Sequence, residues 1–259
     1  MHVIPGFLGP REIEPLRRIC EEVHRQVLVE SPAQADAANI AYLSESRYFS
    51  SREADLLYLL EFIADPRIVS LLREVSGEEP LFHNTQYFRN PATCSWPGEW
   101  HRDTQFLAPD PALEARRMKQ HTGVHFRVAF LPDAQLEYVP GSHLRWDTPQ
   151  ELAIRKGADP TRPDMPGRTR IVLQAQDACL FHAWGIHRGN YHAKVPRQTL
   201  DIIYGWGSGC DYAPPPPMCF EDLALLERLG PGAREFFGYF IRSYAPCWER
   251  PYDSIPRRS

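Results

Sequence analysis

The hydrophobic pattern of this chain changes its period near residue 78, and the change limits the folds that the chain can adopt. Upstream, apolar residues recur at three- and four-residue steps, as at Ile13, Leu16 and Cys20. That spacing is typical of one buried face of an α-helix. Downstream, short segments rich in β-branched and aromatic residues, such as residues 123–131, predict strands. Helices followed by many short strands predict an α+β fold with a mainly β core.

Three helices are predicted before this change. Gly9-Pro10 begins the first, because proline is favoured at the first helical position. The dense apolar segment at residues 56–63 predicts a second, largely buried helix. Asp65-Pro66 then interrupts the pattern, since aspartate caps a helix and proline begins one, and Gly77 ends the third helix.

The strands are predicted from short apolar segments between turn residues. They span residues 81–88, 123–131, 136–139, 170–173, 178–183 and 198–206. Residues 144–169 separate two of them and are rich in proline and charge, which predicts an insertion or a lid. The proline run at residues 214–217 predicts a stiff linker, and residues 221–229 and 234–244 after it predict helices.

The length of the chain limits the number of domains. At 259 residues with 43% hydrophobic side chains, the chain is long enough for one domain with a sizeable core. We expect a single domain over residues 1–259, in which a helical part (1–78) precedes a β core (79–210). A helical C-terminal extension (211–259) follows that core.

Charge and cysteine content argue against several classes of protein. The net charge of −4 and the lack of a long basic run argue against nucleic acid as a partner. No apolar run approaches the ~18 residues of a membrane span and no secretory signal is recognisable, so we expect a cytoplasmic protein. The six cysteines form no CxxC pair, which predicts reduced thiols rather than a zinc ribbon or a redox motif.

The strongest functional signal is a His-x-Asp triplet with a distant second histidine. In an extended segment His101 and Asp103 share a face, so both can bind one ion. The triplet is weak evidence alone, but His187 supplies a third ligand. A His-Asp-His set leaves adjacent positions open on a ferrous ion for a bidentate cosubstrate and dioxygen. Arg197, ten residues after His187, can pair with the distal carboxylate of 2-oxoglutarate.

Four segments, in the right order, resemble the phytanoyl-CoA dioxygenase family of Fe(II)/2-oxoglutarate oxygenases. The segments read GFLGPREIEPLR, WHRD, VPGSH and QDACLFHAWGIHRGN, the last followed by Arg197. The resemblance implies a double-stranded β-helix (a jelly roll, cupin-like) with flanking N- and C-terminal helices. It places His101 and Asp103 on the second conserved strand and His187 near the seventh. Arg197 would lie on the eighth, and His182 would support the site without binding the metal.

The resemblance also implies Fe(II), 2-oxoglutarate and dioxygen as cofactor and cosubstrates. Two departures stand out: Gln176-Asp177 replaces the usual Gly-Asp, and the segment before the PGSH turn, residues 132–135, is shorter than usual. Related halogenases carry alanine or glycine where this chain has Asp103, and this carboxylate favours hydroxylation or another oxidation over halogenation.

Other residues and other functions remain open at this stage. Asn84, Gln86 and Arg127 could hydrogen-bond 2-oxoglutarate or the substrate, but strand alternation does not fix which face they occupy. The substrate is expected to be a small organic molecule, such as a secondary-metabolite intermediate, and the protein a monomer or a homodimer. The alternatives are a zinc hydrolase, which would have no use for Arg197, and a catalytically silent β-helix binding protein.

Overall fold

Ten strands form two antiparallel sheets in the computed structural model, which describes residues 1–106, 108, 110–120, 122–207, 209–210, 213–220 and 224–248. The strands are β1 (His2–Ile4), β2 (Asn39–Ala41), β3 (Leu81–Arg89), β4 (Trp96–Pro97), β5 (Thr122–Ala129), β6 (Asp133–Tyr138), β7 (Thr169–Leu173), β8 (Ala178–His182), β9 (His187–Tyr191) and β10 (Gln198–Trp206). The larger sheet has the order β1-β8-β5-β10-β3-β2, and the smaller has the order β4-β9-β6-β7.

Helices precede, interrupt and follow the strands. They are α1 (Pro10–Glu30), α2 (Glu53–Ile63), α3 (Pro66–Ser76), α4 (Pro111–Gln120), α5 (Pro149–Arg155), α6 (Ala224–Glu227) and α7 (Pro231–Trp248). Short 3-10 helices span Pro32–Asp36, Ser46–Phe49, Asp103–Phe106, Ser142–Leu144 and Met218–Phe220. None of the described helices is long and apolar enough to cross a membrane.

The central strand β10 separates the helical layer from an interior cavity. Successive side chains of a strand point to opposite faces. Leu200, Ile202 and Tyr204 are fully buried in the main hydrophobic core, which they share with α1, α2, α3 and α7. The alternate residues Asp201 and Ile203 face the other way. The flanking strands share this register, since Asp201 lies opposite both Gln86 of β3 and Arg127 of β5.

The helix signals near the N-terminus are confirmed at residue level. Helix α1 begins at Pro10, directly after Gly9. The side chain of Asp65 accepts a hydrogen bond from Arg67 N–H at 2.8 Å and so caps α3. Gly77 ends that helix in the left-handed conformation, with φ at 75°, which a residue without a Cβ adopts at little cost.

The strand predictions hold with small shifts, but several strands were missed. The predicted strands at residues 81–88 and 198–206 correspond to β3 and β10. β9 was not predicted from its own pattern, because HRGNY lacks both alternation and β-branched residues. In the C-terminal part, α7 is longer than predicted. The predicted helix at residues 221–229 is described only from Ala224, because residues 221–223 lie outside the described chain.

The segment predicted as an insertion or a lid is a packed part of the molecule. It contains α5, and the buried side chains of Ile154 and Met165 form a small core with Trp100, next to the predicted metal ligand His101. Trp100 N–H donates to Pro160 O at 2.9 Å. None of the described residues at 144–169 lines the cavity discussed below.

The prediction that all six cysteines are free thiols is wrong for two of them. Cys210 and Cys247 form a disulfide that joins the chain after β10 to the end of α7. The pair is 37 residues apart in sequence, so only the packing of α7 against the body brings the two Cα atoms to 5.0 Å. Cys20, Cys179 and Cys219 are free and buried, and Cys94 is free and exposed.

Candidate metal centre

The three predicted metal-binding residues meet beside β9. His101 forms a single antiparallel bridge with His187, the first residue of β9. Each backbone N–H donates to the other residue's carbonyl, at 3.0 and 2.9 Å. Asp103 N–H donates to Ala183 O at 3.1 Å. The resemblance implied that His101 and Asp103 share a strand, but pairing stops at His101 because the chain turns into a 3-10 helix at Asp103.

The donor atoms of these residues converge on one point. One ligand atom from each of His101, Asp103 and His187 lies within 4.8 Å of the others. Asp103 Oδ1 is 3.5 Å from His101 Nε2 and 3.6 Å from His187 Nε2. Two imidazole nitrogens and one carboxylate oxygen on one side of an ion are the donor set that suits non-haem Fe(II).

Both histidines are held in the tautomer that a metal ligand needs. His101 Nδ1 lies 2.8 Å from Glu99 O, and His187 Nδ1 lies 2.9 Å from Gly185 O. A carbonyl only accepts hydrogen bonds, so each Nδ1 carries the proton and each Nε2 keeps its lone pair. Burial and the neighbouring His101 lower the pKa of His187 to about 3, which keeps its imidazole neutral.

The turn before His187 needs a glycine for close packing. A Cβ on Gly185 would lie 2.1 Å from Tyr138 Oη, well inside van der Waals contact. Gly185 N–H also donates to His182 O at 3.0 Å, which closes the turn between β8 and β9. His182 supports this turn, stacks on His143 with ring centroids 4.8 Å apart, and does not line the cavity.

Arg102 anchors the His101–Asp103 triplet on the side away from the cavity. Its side chain is fully buried, and its Nε donates to Asp147 Oδ1 at 2.8 Å. Its Nη1 donates to Ser142 O at 2.8 Å and to Trp184 O. Ser142 belongs to the PGSH turn, and its Oγ accepts from Ile186 N–H at 2.8 Å. The triplet, the turn and the segment before His187 are therefore joined by one buried set of hydrogen bonds.

A buried chain of charges lies behind Asp103. His125 Nε2 is 2.8 Å from Asp103 Oδ2, and His125 Nδ1 is 3.2 Å from Asp201 Oδ2. Arg127 pairs with Asp201 through two hydrogen bonds of 2.6 and 2.7 Å. Burial opposes protonation of His125, but its hydrogen bonds to the two carboxylates outweigh burial and raise its pKa to about 9. Burial would raise the pKa of Asp103, yet the hydrogen bond from His125 and the nearby histidines hold it well below its usual range.

Arg197 is a buried cation without matching hydrogen bonds. It is 2% exposed, and none of its side-chain nitrogens makes a hydrogen bond to the described residues. Asp133 Oδ1 lies 3.3 Å from its Nε without the alignment that a hydrogen bond needs. Thr199, two residues along β10, has a buried hydroxyl that also lacks a partner among the described residues. Arginine is recognised best by a planar carboxylate, so these groups fit the distal end of a dicarboxylate.

One cavity of about 260 Å³ contains the triad and Arg197. Its lining comes from both sheets and from the segment after the triplet: Asn39, His83, Asn84, Gln86, Phe88, His101, Asp103, Phe106, His125, Arg127, Leu136, Phe181, Trp184, His187, Gly189, Tyr191, Arg197 and Ile203. All seven residues singled out as metal or cosubstrate ligands therefore line a single cavity.

The three additional cosubstrate candidates differ in how far other contacts occupy them. Arg127 uses two nitrogens on Asp201, which leaves its Nη1 without a hydrogen bond to described residues. The side-chain oxygen of Asn84 accepts from Tyr42 N–H at 3.1 Å and from Thr85 N–H at 2.7 Å. Gln86 is half-buried on the cavity wall. A role in holding 2-oxoglutarate stays a prediction for all three.

Sequence reasoning missed His125, Asp133, Thr199 and Asp201. A signal for Asp201 was present, because it is the one charged residue in the otherwise apolar or uncharged strand QTLDIIYGW. A charge inside a buried strand requires a partner. The partner could not be named, since His125 and Arg127 become its neighbours only through the register of β5 with β10.

Two antiparallel sheets around a partly buried His-Asp-His donor set define a metal-dependent oxidoreductase of the double-stranded β-helix class. The family model for phytanoyl-CoA dioxygenase (PhyH) matches residues 1–193. The chain therefore belongs to the phytanoyl-CoA dioxygenase family, as its four sequence segments predicted. No curated protein matches it in sequence.

Solved structures share the fold at low sequence identity. The non-heme alpha ketoglutarate dependent carbocyclase SnoK from nogalamycin biosynthesis is 18% identical, with a TM-score of 0.56 over 89% of this chain and 86% of its own. EctD from S. alaskensis, solved with 2-oxoglutarate and 5-hydroxyectoine, is 16% identical, with a TM-score of 0.53 over 85% and 76%. The epimerase SnoN from nogalamycin biosynthesis is 20% identical, with a TM-score of 0.51 over 78% and 74%. These similarities confirm the predicted fold.

Proposed function

We propose that this protein is an Fe(II)/2-oxoglutarate-dependent dioxygenase that oxidises a C–H bond of a small organic molecule. His101, Asp103 and His187 would hold the ion, and Arg197 would bind the distal carboxylate of 2-oxoglutarate. When bound, iron and 2-oxoglutarate supply the oxidising power of dioxygen, with release of succinate and carbon dioxide. The protein supplies position, orientation and exclusion of water.

The observation that carries this proposal is the placement of Arg197. A buried guanidinium without hydrogen bonds is costly, and it lies in the same cavity as a His-Asp-His donor set. An incoming carboxylate would satisfy it with two parallel hydrogen bonds. A zinc hydrolase gains nothing from such a cation, and a silent binding protein has no need for three converging metal donors.

The class of substrate follows from the cavity. Its volume of about 260 Å³ must hold 2-oxoglutarate as well as the reacting part of the substrate, which favours a small molecule over a bulky thioester. We propose a secondary-metabolite intermediate, in line with similar structures that are described as acting in nogalamycin biosynthesis. Those structures are described as an epimerase and a carbocyclase, so oxidation here could end in hydroxylation or in another product.

Turnover tests the function directly. Purified protein with Fe(II) and 2-oxoglutarate should consume dioxygen and form succinate, and a panel of small substrates should accelerate both. His187→Ala should abolish Fe(II) binding, whereas His182→Ala removes a half-buried histidine outside the cavity and should leave Fe(II) binding largely intact. Tight zinc binding without any succinate formation would favour the hydrolase. Binding of 2-oxoglutarate without any formation of succinate would favour the hypothesis of a catalytically silent binding protein.

Partners and location remain predictions. The net charge of −4 supports the expectation that nucleic acid is not a partner. A monomer or a homodimer is expected. The Cys210–Cys247 disulfide is a bond that the reducing cytoplasm does not favour, so it argues against the expected cytoplasmic location.

A further inference from the structure

The two oxygens of the Asp103 carboxylate have different partners. Oδ1 lies 3.5 Å from His101 Nε2 and 3.6 Å from His187 Nε2, where the three donor atoms converge. Oδ2 instead lies 2.8 Å from His125 Nε2. One oxygen therefore faces the metal position, and the other is already engaged by the protein.

The ring of His125 is fixed on both edges and on one face. Its Nδ1 lies 3.2 Å from Asp201 Oδ2, and Asp201 is itself held by Arg127. Phe181 stacks on the ring with centroids 4.7 Å apart and planes 9° from parallel. A carboxylate oxygen of each aspartate accepts a hydrogen bond, so the imidazole donates to both. Rotation of the ring away from one carboxylate would also break its contact with the other.

We propose that His125, held by Asp201, is a positioning residue that keeps Asp103 a one-oxygen ligand of the metal. A carboxylate can bind an ion through one oxygen or through both. A second bound oxygen would take one of the open positions that a bidentate cosubstrate and dioxygen need. The hydrogen bond from His125 occupies Oδ2 and keeps that position open. The need for an open position rests on the proposed function, whereas the one-oxygen binding mode does not.

Stability alone is a weak explanation for this arrangement. His125, Asp201 and Arg127 are all buried. Taking such charges out of water costs about as much free energy as their mutual attraction returns, and apolar side chains of similar volume are often at least as stabilising. The directed hydrogen bond to Asp103 is what an apolar replacement could not provide.

Two substitutions of His125 separate its two hydrogen bonds. In His125→Gln the amide nitrogen replaces Nε2 and can still donate to Asp103. In His125→Asn the amide nitrogen replaces Nδ1 and can still donate to Asp201 only. Both variants lose one hydrogen bond to a buried carboxylate, so a purely structural role predicts similar losses of thermal stability and similar metal binding. Each variant is therefore the matched control for the other.

The first measurement uses Co(II) alone, added to metal-free wild type and both variants. We expect His125→Asn to bind Co(II) about 10- to 100-fold more weakly than wild type and with a changed visible absorption spectrum. His125→Gln should keep the spectrum and most of the affinity. Equal affinities and identical spectra in the two variants would overturn the proposal, whatever their melting temperatures.

The second measurement adds 2-oxoglutarate to the Fe(II)-loaded proteins and follows their charge-transfer absorption. His125→Asn should require at least about tenfold more 2-oxoglutarate than His125→Gln to reach half of the full signal. The same half-saturation in both variants would refute the link to the open position. If wild type itself binds no 2-oxoglutarate, the proposed function fails, and the Co(II) measurement still decides how Asp103 binds.

Discussion

Arg102 and Asp147 form an ion pair in which neither side chain is exposed to solvent, with Nη2 and Oδ1 2.7 Å apart. Arg102 stands between the proposed metal ligands His101 and Asp103, whereas Asp147 belongs to the segment at residues 144–169. This segment therefore braces the His101–Asp103 triplet from the side away from the cavity.

The brace predicts that a residue without any contact to the metal controls metal binding. Asp147→Asn should lower the free energy of unfolding by about 3–5 kcal/mol, because it leaves the buried Arg102 uncompensated. Metal affinity should fall as well, since the triplet loses its anchor. Denaturant unfolding and Co(II) titration measure the two effects.

The matched control lies in the same segment. Asp164 pairs with Arg162, but their side chains are 49% and 50% exposed. Asp164→Asn should therefore change stability by at most about 1 kcal/mol and leave metal affinity unaltered. Wild-type metal affinity in Asp147→Asn would show that the ion pair stabilises the fold without positioning the ligands.

Removal of Arg197 should affect both cosubstrate binding and stability. In Arg197→Met a buried cation that lacks hydrogen bonds is gone, but the buried Asp133 loses an ion-pair partner 3.3 Å away, so the melting temperature of the protein should fall. Binding of 2-oxoglutarate to the metal-loaded protein should weaken more than about 100-fold, because two charge-assisted hydrogen bonds of about 1.5–3 kcal/mol each are lost. Calorimetric titration with and without bound metal measures the affinity for 2-oxoglutarate and its dependence on the metal. Retained affinity in this variant would direct attention to Arg127 as the carboxylate partner.

The pH dependence of stability should reflect the histidines that are buried in the neutral form. Burial lowers the pKa of His182 to about 3, against 6.5 in the unfolded chain. Below pH 6.5 His182 therefore binds a proton in the unfolded state but stays neutral in the folded state. The free energy of unfolding falls as the pH drops from about 6.5 towards 3.

His182→Phe tests the size of this effect in metal-free protein. It should flatten the pH dependence between about pH 6 and pH 4 by at most about 1.4 kcal/mol per pH unit. The absolute stability of the variant is not the readout, because the ring replacement itself shifts it at every pH. If the free energy of unfolding changes with pH equally in wild type and variant across this range, the low pKa of His182 is contradicted.

The sequence selected a candidate donor set that the structure brings into one cavity, but it did not identify the residues that support that set. His101, Asp103, His187 and Arg197 could be selected because residue type and order carry the requirements of a ferrous ion and a dicarboxylate. All four of these residues line one cavity, as a shared site requires.

The supporting residues depend on registers that no local pattern encodes. His125 reaches Asp103 only because β5 pairs with β8 and β10 so that His125 lies beside Phe181 and Ile203. Asp147 reaches Arg102 across 45 residues. Both contacts are between polar groups in the interior, which hydrophobic periodicity cannot locate.

The disulfide gives a prediction that thiol counting can test. Alkylation of the native protein should modify Cys94 rapidly, since it is the exposed free cysteine, whereas Cys20, Cys179 and Cys219 are buried. Unfolding without reductant should expose all four of these thiols, and unfolding with reductant should give the six that the sequence contains. Loss of the bond in Cys247→Ser should lower the free energy of unfolding by about 4 kcal/mol, because a link across 37 residues restricts the unfolded chain. Six reactive thiols in unfolded protein that never met a reductant would show that Cys210 and Cys247 are unpaired in the conditions used.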